Sequence, residues 1–204
     1  MQLVDVYNRN AEYWDSSVYR AAYHGAYVRL FRMLQRSGVL RNPVRVLDCG
    51  IGAGLFSESL LDVSDSPLEI HGVDRSSSLL AMAMSKFERR GSPARFAFGD
   101  VCHLPYRTEA MDVVLSALVL EHVPRPVDAV REMARVLRRG RALVIIATRR
   151  GAPDHFFRLK YHYRPYRKTD LLRWIRESGL TEVGSHSLSG IARLFAHAYV
   201  GIKA

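Results

Sequence analysis

The chain predicts an α/β fold, a seven-stranded, mostly parallel sheet with helices on both faces and an antiparallel strand towards the C-terminus. Two observations carry this. Short apolar runs of strand length alternate with segments of helical period from residue 44 onward. The first of those runs leads through a glycine-rich turn straight into a helical pattern, as parallel strand–helix units do.

Before the sheet, Val4 to Ser37 carries Tyr7, Tyr13, Trp14, Tyr19, Tyr23, Tyr27, Leu30, Phe31 and Leu34 at helical spacing, which predicts one or two helices. Val44 to Asp48 reads as the first strand and Leu55 to Leu61 as the helix after it. Leu68 to Val73 is a second strand, followed by a helix over Ser76 to Arg89 capped by Ser76 or Ser77. Ala94 to Phe98 and Met111 to Ser116 are strands three and four. A helix with proline in its first turn spans Pro126 to Leu137, and Ala142 to Thr148 is strand five. A helix over Thr169 to Ser178 is closed by Gly179, and strands near Thr181 to Ser187 and Leu194 to Ile202 are expected to pair as a hairpin.

Length and composition set bounds. A chain of 204 residues, 48% hydrophobic and 25% charged, has the composition of one ordinary globular domain. The expected division is a helical lid over residues 1–43, a core over 44–148, and a loop, helix and hairpin over 149–204. No apolar run approaches the length of a membrane span, and the first residues lack a signal-peptide pattern, so a cytoplasmic location is expected. Cys49 and Cys102 are too few and too far apart for a disulfide framework or a zinc site, and no metal is expected. The net charge of +10 points to an anionic partner or surface. Between Arg149 and Lys168 there are seven basic residues against one acid, interleaved with aromatic side chains.

The functional signal is Val46-Leu47-Asp48-Cys49-Gly50-Ile51-Gly52-Ala53-Gly54. Glycines between a strand and a helix let backbone N–H groups approach a nucleotide-like ligand. The third glycine comes one residue too early for the dinucleotide fingerprint, and Asp48 would repel a pyrophosphate while attracting an ammonium or sulfonium group. Asp-x-Gly-x-Gly-x-Gly after an apolar strand resembles motif I of the class I S-adenosylmethionine-dependent methyltransferases. Further segments agree in order and spacing: Gly72-Val73-Asp74, then Phe98-Gly99-Asp100-Val101 with Leu104-Pro105-Tyr106, then Asp112 to Val123, which is similar to the strand-four motif of the small-molecule, type 11 branch. Arg138-Arg139-Gly140-Arg141 departs from that branch's Lys-Pro-Gly-Gly turn.

The resemblance implies a Rossmann-like fold and an enzyme that binds S-adenosyl-L-methionine, releases S-adenosyl-L-homocysteine and needs no metal. It implies a cofactor site of Asp48, Gly50, Gly52, Gly54, Asp74, Arg75, Asp100, Val101 and Ala117, with Tyr7 and Trp14 contributed by the lid. Asp74 would accept from the ribose hydroxyls and Asp100 from the adenine amino group. His122, Tyr161 and His162 are the candidate catalytic groups, and Tyr13, Arg158, Tyr163 and Arg164 the candidate acceptor contacts. The expected reaction is in-line transfer of a methyl group to an O, N or C atom of a small molecule, with an anionic acceptor favoured by the charge. A quinone or phospholipid methyltransferase touching an anionic membrane is the alternative within the class, and a noncatalytic cofactor-binding subunit the alternative outside it. Absence of an Asn/Asp-Pro-Pro-Tyr motif after strand four, and of any RNA-binding module, argues against a nucleic-acid substrate.

Overall fold

A computed structural model describes residues 3–14, 16–153 and 163–204. Three helices precede the sheet: α1 (Leu3–Arg9), α2 (Ala11–Trp14) and α3 (Ser17–Arg36). The one or two expected become three because α3 opens afresh, with the Ser16 hydroxyl capping the N–H of Tyr19. There follow β1 (Arg45–Cys49), α4 (Leu55–Leu61), β2 (Glu69–Asp74), α5 (Ser77–Arg90), β3 (Ala94–Phe98), β4 (Met111–Ala117), α6 (Pro126–Val136), β5 (Leu137–Thr148), α7 (Lys168–Glu177), β6 (Leu180–Ser187) and β7 (Ala196–Lys203).

The strands form one sheet in the order β3-β2-β1-β4-β5-β7-β6. The first five are parallel, and β7 runs antiparallel to both β5 and β6. This is the Rossmann-like, mostly parallel seven-stranded sheet that the sequence predicts, with helices on both faces. Two expected boundaries move. Strand β5 starts at Leu137 rather than Ala142, because Leu137 already pairs with Met111 and the Arg138 to Arg141 segment runs inside the strand. Strand β7 starts at Ala196, because Gly190–Leu194 winds into a 3₁₀ turn.

Alternation along the strands builds two cores. Val46, Ile70, Val113, Leu115, Val144 and Ile146 face α3, α4 and α5, while Leu47, Val73, Val114, Leu143 and Ile145 face α6 and α7. On the first face Tyr27 and Phe31 of α3 pack their rings against Phe56 of α4, with centroids 4.6 and 4.8 Å apart. An ion cluster ties the three helices together. Arg20 of α3 donates to both carboxylate oxygens of the buried Glu58 on α4, at 2.6 and 2.7 Å, and Lys86 and Arg90 of α5 stand within 4 Å. Residues of α1 and α3 reach over the carboxyl ends of β1, β2 and β4.

Candidate active site

A cavity of about 580 Å³ opens at the carboxyl ends of the parallel strands, where α/β sheets place their ligand sites. The glycine turn after β1 forms its floor. Gly50, Gly52 and Gly54 all have positive φ, at 74°, 55° and 86°. A side chain on Gly50 would collide with Val119, and one on Gly54 would meet the Phe87 ring at 2.7 Å. Nothing lies within 4 Å of the place where a Gly52 side chain would project. Gly50 and Gly52 line the cavity; Gly54 does not, and its position is set by packing under α5.

Three carboxylates stand around that floor. Asp48 is 1% exposed; its Oδ2 accepts from the Ser57 hydroxyl at 2.7 Å and its Oδ1 has no hydrogen-bond partner. Burial pushes its carboxyl up to about 6. Asp74 accepts from the Gly52 N–H through Oδ2 and from the Ser76 N–H through Oδ1, both at 2.8 Å, so it holds the glycine turn against the start of α5. Its carboxyl too is raised by burial. Asp100 accepts from the Cys102 N–H at 2.9 Å and lies 3.8 Å from the Arg75 guanidinium. Arg75, Val101 and Ala117 complete this side of the wall.

His122, in a 3₁₀ turn after β4, also lines the cavity. Its Nε2 lies 2.8 Å from the Tyr7 hydroxyl, and the rings of Tyr7 and Tyr163 stand edge-on to it at 5.3 and 5.4 Å. Burial drops the imidazole to about 4, which keeps it neutral at physiological pH. The preceding residue, Glu121, is buried and accepts from both the N–H and the hydroxyl of Thr148, anchoring the turn to the end of β5. A cavity lined by three acids and a neutral histidine can hold a cationic ligand beside a group able to take a proton.

The structure thus brings Asp48, Gly50, Gly52, Asp74, Arg75, Asp100, Val101, Ala117, Tyr7 and His122 to one cavity. Tyr163 stands edge-on to the His122 ring without lining the wall, and Arg164 donates its backbone N–H to the Glu121 carbonyl at 3.1 Å, also without lining it. The side chains of Tyr13 and Trp14, and Arg158, Tyr161 and His162 altogether, lie outside the described residues. Sequence patterning missed Tyr19 and Tyr27 of α3, Ile51, Leu79 and Leu118. Leu118 carries a signal only in the backbone: its φ of +58° is held by an N–H bond to the Ile146 carbonyl. A second cleft, of about 470 Å³, lies at the amino ends of β1 to β4, where Arg45, His71 and Arg95 each stand within 3.5 Å of Glu69. Among the described residues no cluster of three or more His, Cys, Asp or Glu could hold a metal ion, and no helix is long and apolar enough to cross a membrane.

Residues 47–145 match the family model described as a methyltransferase domain. The chain is 34% identical over 118 residues to a phosphatidylethanolamine N-methyltransferase of Cereibacter sphaeroides, covering 57% of this chain and 53% of that one. It is 25% identical over 151 residues to a ubiquinone/menaquinone biosynthesis C-methyltransferase of Campylobacter jejuni, covering 71% and 63%. The chain therefore spans between about half and two thirds of the length of these curated relatives. Among solved structures, a SAM-dependent methyltransferase from Thermotoga maritima superposes with a TM-score of 0.76 over the whole of both chains at 19% identity, a likeness of fold.

Proposed function

With residues 47–145 a methyltransferase domain of the type 11, class I family, we propose that the protein transfers a methyl group from S-adenosylmethionine to a small-molecule acceptor bound beside His122. The observation that carries this is Asp48 Oδ1, an unpartnered carboxylate oxygen buried in the wall of a ligand-sized cavity, the feature a cationic ligand would satisfy. When bound, S-adenosylmethionine supplies a methyl group on a sulfonium, open to in-line attack by a nucleophile.

This chain's residues divide the remaining tasks. Asp48 holds the amino group of the methionyl end. Asp74 has two of its roughly four lone-pair sites engaged by backbone N–H groups, and the others accept from the ribose hydroxyls. Asp100 accepts from the adenine amino group while Val101 packs on the ring, and the open space at Gly52 admits the ligand's closest approach. Ala117, Leu118 and Val119 close the wall between cofactor and acceptor and exclude water. His122 is the general base: neutral, within 2.8 Å of the Tyr7 hydroxyl, it takes the proton that the acceptor loses. Tyr7, on the first helix of the lid formed by residues 1–43, orients that imidazole and covers the cavity.

The test separates binding from chemistry. With methyl-labelled S-adenosylmethionine and an extract of the source cells, label is expected in a small-molecule fraction. His122→Ala should then lower kcat by about a hundredfold to ten-thousandfold, the usual contribution of a general base, with calorimetric affinity for S-adenosylhomocysteine unchanged. Label that persists at the wild-type rate removes His122 from the mechanism, and no affinity for S-adenosylhomocysteine in the wild type sinks the assignment as a whole.

A further inference from the structure

Helix α3 holds no acidic residue, and neither does the chain from residue 183 to 204. These two segments meet. The Arg29 guanidinium of α3 donates to the Ser189 hydroxyl at 2.5 Å, just ahead of the 3₁₀ turn at Gly190–Leu194. Seven large apolar residues are exposed among those described, and four of them belong to this pair of elements: Val18 (70%), Met33 (38%), Ile191 (56%) and Leu194 (46%). At 100° per residue, Val18, Arg29, Arg32, Met33 and Arg36 fall within a sector of about 100° on α3, so the apolar and basic side chains share one outer stripe. On the neighbouring turn, Arg193 is exposed between Ile191 and Leu194, and its carbonyl accepts from Arg149 at 2.8 Å.

A face of exposed aliphatic side chains interspersed with arginines and free of acids is the pattern of an interfacial surface on anionic lipid. Its position is specific. Val18 precedes Tyr19, which lines the cavity, and Arg149 follows Thr148, which anchors the residue before His122. We infer that the outer stripe of α3 and the Gly190–Leu194 turn seat the protein on an anionic bilayer with the rim of the cavity at the headgroups, so that the acceptor is an amphiphile drawn from the membrane. The docking is independent of the chemistry proposed above; the acceptor class rests on it.

The experiment is co-sedimentation of the intact protein with phosphatidylglycerol or phosphatidylcholine vesicles at low and high salt, with calorimetry of S-adenosylhomocysteine binding on the same preparations. The wild type should pellet with phosphatidylglycerol vesicles at low salt, stay in solution with phosphatidylcholine, and be released by high salt. Ile191→Asp with Leu194→Asp should weaken vesicle binding at least tenfold without moving the urea midpoint. Arg32→Gln, Arg36→Gln and Arg193→Gln should cost roughly fivefold for each charge removed. Val44→Asp with Met84→Asp, exposed apolar positions elsewhere, should change nothing. The inference falls if the wild type ignores phosphatidylglycerol, or if the Val44 and Met84 changes weaken binding as much. It falls equally if the Ile191 and Leu194 changes instead disperse a self-associated form seen without vesicles, which would assign the face to a second copy of the chain. A wild type that ignores phosphatidylglycerol vesicles yet binds S-adenosylhomocysteine overturns the docking alone; one that binds the vesicles but not S-adenosylhomocysteine overturns the methyl-donor assignment alone.

Discussion

Asp48 combines near-complete burial, one hydroxyl partner and a carboxyl pushed up to about 6, so without a bound cation it holds a proton over a range in which an exposed carboxyl would not. A cation bound beside it favours the ionised form, and binding then expels that proton. Affinity for S-adenosylmethionine should therefore rise with pH, by up to about tenfold per unit below 6, and level off above it. Asp48→Asn should bind more weakly and without that slope; titration calorimetry between pH 5 and 8 reads both, and a flat wild-type profile would remove Asp48 from the cation's surroundings. Gly54 acts by exclusion. With φ at 86° and the Phe87 ring 2.7 Å from any added Cβ, Gly54→Ala should lower the urea-derived stability by about 2–4 kcal/mol. Asp48 was legible in the sequence from its place at the glycine turn, and Asp74 and Asp100 because the segments that carry them resemble motifs of the class I methyltransferases in order and spacing. Tyr19 and Tyr27 were not, because helical periodicity tells which side of α3 is buried but not that the same side reaches from the core into a cavity.

Among the secondary-structure elements, α3 is joined to the sheet by the aromatic contacts to Phe56 and by the Arg20–Glu58 pair. Burial alone would raise the Glu58 carboxyl, but its bonds from Arg20 and the charge of Lys86 outweigh that and hold it below the ordinary value. Arg20→Ala should cost about 1–3 kcal/mol at neutral pH, by urea denaturation, because a buried carboxylate loses two charge-assisted bonds. A carboxyl whose folded-state pKa is depressed stabilises above that pKa, so the gap between wild type and variant should close as pH falls through it. The order of elements was readable from alternating periods and caps, with Ser76 capping α5 through the N–H of Leu79 as its position suggests. The errors fell where tertiary pairing overrides local signals. Arg138-Arg139-Gly140-Arg141 reads as a turn, yet the Arg138 guanidinium donates to Asp112 of β4 at 2.7 Å, which draws the segment into β5.

For the molecule as a whole, residues of α3 share one apolar core with β1, β4, β5 and β7, which favours a single cooperative unit. Fluorescence and far-ultraviolet dichroism should then report one coincident urea transition; an earlier loss of helix would detach the N-terminal segment from the rest. The strand order holds a further consequence, for the way the chain is made. Strand β6 is synthesised before β7 but touches the sheet only through it, because β7 lies between β5 and β6. Until β7 emerges and inserts, a nascent chain displays β5 and β6 as two unpaired edges, each able to capture a strand from another molecule. The interval between the synthesis of β6 and of β7 is therefore one in which two open edges invite misassembly with another chain.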